Sequence, residues 1–489
     1  MSPILILSIV FLYFILLLFI SFYTARGANA NSFFIGNRKS KWYIVAYGMI
    51  GTSLSGVTFM SVPGEVGTKQ FAYMQIVLGY FVGYFIIALV LLPLYYKLNL
   101  TSIYTYLRER FGNTTYKTGS LFFILSRTLG ASIRVFLVVN MLQVFVLDPM
   151  GIPFGVTGAI IIALILIYTF KGGVKTIVWT DMIQTTCMLG ALIISVILAM
   201  NHLGYSPSQM ISAINEKSLT KTFFWYWKDK KFFGKEFLSG IFITVAMTGL
   251  DQEMMQKNLS CRNLKEAQKN MFTFSFILVF VNLLFLTLGA VLFVFADKIS
   301  LAIPAQTDQL FPMIALNHLG EAAGLIFLIG LISALYPSAD GALTALTSAF
   351  CIDIINLPEK DFSEKKKTRL RYLVHLSFAV IFLLCIIWYK ANVSSSVISA
   401  VLSIAGYTYG PLLGLYSFGM FMKRKINDRW SPVVCIISPL ICYYVDLHSQ
   451  QWFNGYQLGF EVLVLNGLLT FLGLLLISQR NKIAVATSR

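Results

Sequence analysis

Charge is what this chain has least of. Asp, Glu, Lys and Arg make up only 12 % of its 489 residues, against roughly 25 % in soluble domains. That is too little to wet the outside of a globular domain of this length. Histidine is rarer still: His202, His318, His375 and His448 stand far apart and share no ligand spacing, so neither a metal centre nor a catalytic imidazole is expected. The six cysteines (Cys187, Cys261, Cys351, Cys385, Cys435 and Cys442) include no Cys-x-x-Cys pair and lie mostly in apolar segments. They read as small core residues, not as a disulfide framework. An enzyme with an organic cofactor is therefore not expected, and no low-complexity tract or sequence-level repeat is visible.

What is plentiful is apolar. Hydrophobic residues are 57 % of the chain and the mean hydropathy is +0.75. Stretches of about 20 residues, the length that crosses a bilayer, recur to the C-terminus. The predicted fold class is an all-α polytopic membrane protein, one transmembrane domain over residues 1–489. Thirteen spans are expected, roughly Ile4–Tyr23, Trp42–Pro63, Met74–Leu98, Gly119–Leu147, Phe154–Phe170, Val178–Met200, Phe237–Met255, Met271–Ala296, Leu319–Ile355, Tyr372–Tyr389, Val397–Met420, Val433–Val445 and Leu458–Ile477.

The net charge of +17 does not point to nucleic acid, because the basic residues fall in short loops, where they set orientation. Loops carrying Lys97/Arg108/Arg110/Lys117, Lys171/Lys175, Lys257/Arg262/Lys265/Lys269 or Lys423/Arg424/Lys425/Arg429 alternate with loops carrying one basic residue or none. The exception is 201–236, with six lysines and the aromatic run Phe223–Trp227, expected on the outer surface. This alternation places the N-terminus outside and the C-terminus in the cytoplasm, with 480–489 as a short polar tail. Ile4–Tyr23 has Arg26, Arg38, Lys39 and Lys41 after it and none before, the reverse of a signal peptide. Thr101–Phe111 reads as an amphipathic segment at the inner surface.

One apolar stretch, Phe327–Asp353, contains a proline and an aspartate near its middle. Pro337 cannot donate a backbone hydrogen bond, which frees the Ser333 carbonyl. Asp340 facing lipid would cost about 2.5–3.5 kcal/mol or more. A freed carbonyl, the Ser338 hydroxyl and a carboxylate within one turn suit a sodium ion or a proton. The alternative is a kinked structural helix whose aspartate is neutralised by an arginine elsewhere. The second span, rich in Gly, Ser and Thr (YGMIGTSLSGVTFMSVPGEVG), reads as a broken helix of the kind tolerated only where protein or a polar cavity satisfies its backbone. Arg127 and Arg134, seven apart, share a helix face, and Asp181 is a further acid within a span. Each is a functional candidate, and mutual neutralisation is the competing explanation. Asp251, Glu253, Glu321, Asp353 and Glu461 are assigned to span ends, where interfacial water suffices.

The blocks FFIGNRKSKWYIVAYGMIGTSLSGVTFMSVPGEVG, PLYYKLNLTSIYTYLRERFG, YTFKGGVKTIVWTDMIQ, GLDQEMMQKNLSCRNLKEAQ and SALYPSADGALTALTSAFCIDI resemble the sodium:solute symporter family. The likeness is greatest to its bacterial sialic acid branch and to the branch carrying iodide, vitamins and monocarboxylates. The resemblance implies a five-plus-five inverted-repeat core (42–200 and 237–420), one leading helix (4–23) and two trailing ones (433–477). It carries the sodium site onto Gly51, Leu54, Ala334, Pro337 and Ser338, with Pro337 standing where the family has a serine. A second sodium, on the sialic acid pattern, would fall at Asp181, Asp340 and Gly341, with the Ser333 carbonyl as a replacement ligand. Two such carboxylates would raise each other's affinity for protons, so proton coupling is the variant. Ser55 and Thr58 match substrate-lining positions, and Tyr80 stands where that branch has glutamine. The carboxylate-gripping arginine aligns with Arg134 counted back from Gly172 and with Gly130 counted forward from Thr101. The resulting expectation is a monomeric sodium-coupled importer of a small carboxylated solute in a bacterial inner membrane. A symporter of a neutral sugar or polyol is the first alternative; a sensor or a channel is a more distant one.

Overall fold

A computed structural model describes residues 3–24, 38–392 and 397–479, most of them helical. The tail expected at 480–489 and Arg26 lie outside the described residues. The leading helix α1 (Pro3–Thr24) is followed by α2 (Trp42–Ser53) and α3 (Gly56–Lys69), one span bent by 57°. Then come α4 (Tyr73–Lys97), the short α5 (Thr105–Arg110) and α6 (Asn113–Leu142). Helix α7 (Phe154–Leu203) carries two apolar stretches, Phe154–Ile167 and Ile177–Leu203. Between them a loop was expected around Lys171 and Lys175, but the backbone stays helical, since the intervening YTFKGGVKTIV offers no proline to stop it.

After α8 (Pro207–Glu216), Phe233–Gly249, which contains α9 (Phe233–Thr244), and α10 (Gln252–Leu259) form a second bent span, at 67°. Next are α11 (Leu264–Lys298), α12 (Leu310–Asn317), α13 (Glu321–Ala349) and α14 (Glu364–Asn392). A third bent span pairs α15 (Val397–Thr408) with α16 (Gly410–Phe421) at 46°, and α17 (Ser431–Trp452) and α18 (Val462–Leu476) follow. A two-residue antiparallel pair, β1 (Lys425–Ile426) with β2 (Ser478–Gln479), is a small departure from an all-helical chain.

Seven described helices are long and apolar enough to cross a membrane, ten if each bent pair counts once, and three shorter apolar helices accompany them. The outer helices show why: on α14, Leu373, Leu384 and Trp388 are 59–61 % exposed, an apolar face that only lipid would cover. The centre is α13, every residue of which is buried from Gly330 to Ala349. It packs against α1, α2, α3, α6, α7, α10 and α14, and its all-round apolar character follows from that position. Helices α4 and α9 meet through Gly79 and Gly240. A Cβ on Gly79 would stand 2.2 Å from the Phe237 carbonyl oxygen, so only glycine permits that approach. The segment around α5 does not lie at the surface as expected: Ile103, Tyr104 and Leu107 are fully buried, and Gln252 of α10 bonds both the Thr101 carbonyl and the Ile103 N–H.

Candidate functional site

The breaks in the first two bent spans meet. Helix α2 ends in Gly-Thr-Ser-Leu-Ser-Gly, poor helix formers, and α3 restarts from Ser55 in an extended conformation. The second break lies at Leu250–Asp251, where the Asp251 carboxylate caps α10 by accepting from the N–H groups of Glu253 and Met254 at 2.9 and 3.2 Å. Lys257 of α10 donates to Thr52 Oγ1 at 2.5 Å, closing one break onto the other.

From that contact a chain of buried charges runs through the bundle. Lys257 Nζ sits 2.7 Å from Asp181 Oδ2 and 3.5 Å from Glu253 Oε1. Glu253 Oε2 pairs with Arg127, whose other nitrogen lies 3.6 Å from Asp251 Oδ2. Asp251 also accepts from the Tyr409 hydroxyl at 2.7 Å. All five charged residues are at most 4 % exposed. Three acids face two bases, and the remaining negative charge falls on Asp251, at the positive end of α10. Lys257 was expected in a basic inside loop, and Asp251 and Glu253 at a wet span end. Both placements are corrected: the break folds the polar segment QEMMQKN back into the core, where the charges satisfy one another. The motif was visible; its burial was not. Asp353, also assigned to a span end, is buried and accepts from Tyr116 and Ser120 at 2.7 and 3.1 Å.

Beside this chain lies a cavity of about 100 Å³. Ser55, Thr58, Tyr80 and Arg134 all line it, with further hydroxyls from Ser53, Tyr73, Thr244 and Thr248. The Thr244 hydroxyl is buried and without a partner. Arg134 makes no hydrogen bond or ion pair among the described residues, although its guanidinium lines the cavity. Gly130, the other alignment of that position, lines only a smaller neighbouring space that Arg134 also borders.

The eight candidate cation residues fall into three places. Gly51 packs on α7 so closely that a Cβ would stand 2.4 Å from Thr185 Oγ1 and 3.6 Å from the Asp181 carbonyl oxygen, and Leu54 lies at the break itself. Ala334, Pro337 and Ser338 lie in the interior of α13, and the Ser338 hydroxyl is buried without a partner. Ser333 and Asp340 have other engagements. The Ser333 hydroxyl donates to Tyr13 of α1 at 2.8 Å, and Asp340 Oδ1 accepts from the N–H of Gly341. The structure therefore joins Gly51 to Asp181 through α7, and supplies Asp181 with a partner, Lys257, that sequence reasoning did not name.

The profile of the sodium:solute symporter family matches residues 33–429. The chain belongs to the sodium:solute symporter family. Among curated relatives, the sodium/sialic acid symporter SiaT of Proteus mirabilis is 25 % identical over 429 residues, covering 86 % of this chain and 84 % of the relative. The human sodium/iodide cotransporter is 26 % identical over 420 residues, covering 81 % and 62 %. The fold of this family member matches that of a Na+-coupled sialic acid symporter solved in a substrate-bound outward-open state, with a TM-score of 0.82 at 22 % identity over 97 % of this chain and 98 % of that one. The nucleobase-cation symporter Mhp1, in a closed conformation, superposes with a TM-score of 0.55 at 13 % identity, over 91 % and 94 %. A multi-pass membrane symporter, coupled to sodium and carrying a small solute, is what this membership states.

Proposed function

We propose that this symporter imports a small carboxylated solute with sodium by alternating access. The observation that carries the reading is Arg134, an uncompensated guanidinium on the wall of a hydroxyl-rich cavity. A buried cation without a counter-charge is costly, and a carboxylate that brings two acceptor oxygens removes that cost. The hydroxyls of Ser55, Thr58 and Thr244, with the Tyr80 phenol, suit a polyhydroxylated body, so a sugar acid of the sialic type uses both halves of the site. They equally favour the second reading, a neutral sugar or polyol, in which Arg134 would serve the fold.

Sodium, in this proposal, binds where α2 ends. The last carbonyls of a helix lack i+4 donors, which makes Gly51 and Leu54 available, and α13 offers the Ala334 and Pro337 carbonyls and the unpartnered Ser338 hydroxyl across from them. Asp340 supplies a carboxylate one turn further along. The protein would work as a monomer of thirteen spans in a bacterial inner membrane, N-terminus outside, its core two inverted five-helix repeats whose first helices are the two bent spans that meet at Thr52 and Lys257. The test is uptake into proteoliposomes of carboxylated and neutral sugars under an imposed sodium gradient, at two pH values, for the wild type and Arg134→Ala. Accumulation of a carboxylated solute only with sodium, lost in the variant, is expected. Accumulation of a neutral sugar, undiminished in the variant, would replace the carboxylate reading with the second one.

A further inference from the structure

The ammonium of Lys257 occupies the position at Asp181 that a second mobile cation would need. Its Nζ lies 2.7 Å from Asp181 Oδ2, 2.5 Å from Thr52 Oγ1 and 3.5 Å from Glu253 Oε1, an oxygen set that would otherwise suit a hard monovalent ion. Lys257 is 2 % exposed and Asp181 not at all, so the pair is shielded from the exchange with water that loosens surface salt bridges. Asp181 Oδ1 is buried and without a partner among the described residues, leaving one oxygen, too few to hold an ion beside an ammonium of the same sign. We propose that Lys257 is a tethered cation standing in for a mobile one at Asp181, so that each transport cycle couples a single sodium ion, at the break between α2 and α3.

This rests on the symport reading above and adds the stoichiometry and its determinant. One sodium with one monovalent carboxylate moves no net charge, so accumulation follows the sodium concentration ratio alone. Tenfold more sodium outside then drives about tenfold accumulation, whereas two sodium ions per solute would add the membrane potential and square the ratio.

The experiment is equilibrium binding of radioactive sodium to the purified full-length protein, for the wild type, Lys257→Gln and the double variant Asp181→Asn/Lys257→Gln. One ion per chain is expected for the wild type, two for Lys257→Gln, in which Asp181 regains a free carboxylate, and one for the double variant. Should Lys257→Gln fail to fold because Asp181 is stranded, a double variant that folds and binds one ion still supports the assignment, since removing both charges restores the balance. Two ions in the wild type, one in a folded Lys257→Gln, or loss of binding in the double variant would overturn it. A wild type that binds no sodium at all would instead overturn the symport reading itself.

Discussion

Arg127 and Arg134 lie two turns apart on one helix, yet they belong to different regions. Arg127 is enclosed by Glu253 and Asp251 and is 4 % exposed. Arg134 lines the cavity and meets no acid. The difference shows how to read a charge inside a membrane protein: one already neutralised holds helices together, whereas one left open on a cavity wall is a place for something not yet bound.

The widest separation between the two should come from Arg127→Ala. It strands two buried carboxylates and should cost about 3–5 kcal/mol, visible as a large drop in the melting temperature of the purified protein. Little change would mean that the buried chain is not a structural unit. Arg134→Ala leaves no partner behind, so stability should stay within about 0.5 kcal/mol. Uptake of a carboxylated solute should meanwhile fall by roughly 30-fold or more, the equivalent of losing one buried charge-assisted contact. A variant that transports normally would dissolve the contrast.

Gly51→Ala probes the packing between them. The added methyl meets Thr185 Oγ1 at 2.4 Å and should cost about 1–3 kcal/mol by pushing α2 off α7, read as thermal destabilisation with weaker sodium dependence. Asp340→Asn tests whether the carboxylate on α13 helps hold the ion. We expect half-saturating sodium to rise about tenfold, near 1.4 kcal/mol, and an unchanged sodium curve would remove Asp340 from the site.

The smallest effect is expected outside the membrane. Burial pushes the Asp308 carboxyl up to about 6, even though Val397 N–H donates to it at 3.3 Å. A carboxyl that is more easily protonated in the packed state stabilises packing at low pH, and that contribution is lost as pH rises from about 4 through 6. Hydrogen exchange across 307–317, corrected for intrinsic rates, should therefore be a few-fold faster at pH 7 than at pH 5. Asp308→Asn should erase the difference; a difference that survived would assign it to another group.

Much of this molecule was legible before folding. Long apolar stretches separated by basic loops specify a membrane bundle, because hydrocarbon tolerates no unpaired backbone. The glycines and hydroxyls between Gly48 and Thr58, and Pro337 inside α13, marked the breaks for local reasons: weak helix propensity and a missing donor. Ser55, Thr58, Tyr80 and Arg134 came from the family resemblance, and the fold brings them to one cavity wall. Lys257 shows the limit. By composition QEMMQKN is a loop, and counting its lysine among the loop charges even supported the predicted orientation. Only the tertiary structure sets that lysine against Asp181, 76 residues away, and Glu253 against Arg127, 126 residues away. Local pattern reports what one segment prefers. Whether a charge ends in water, against a partner or on an open cavity wall depends on which distant groups the fold carries to it.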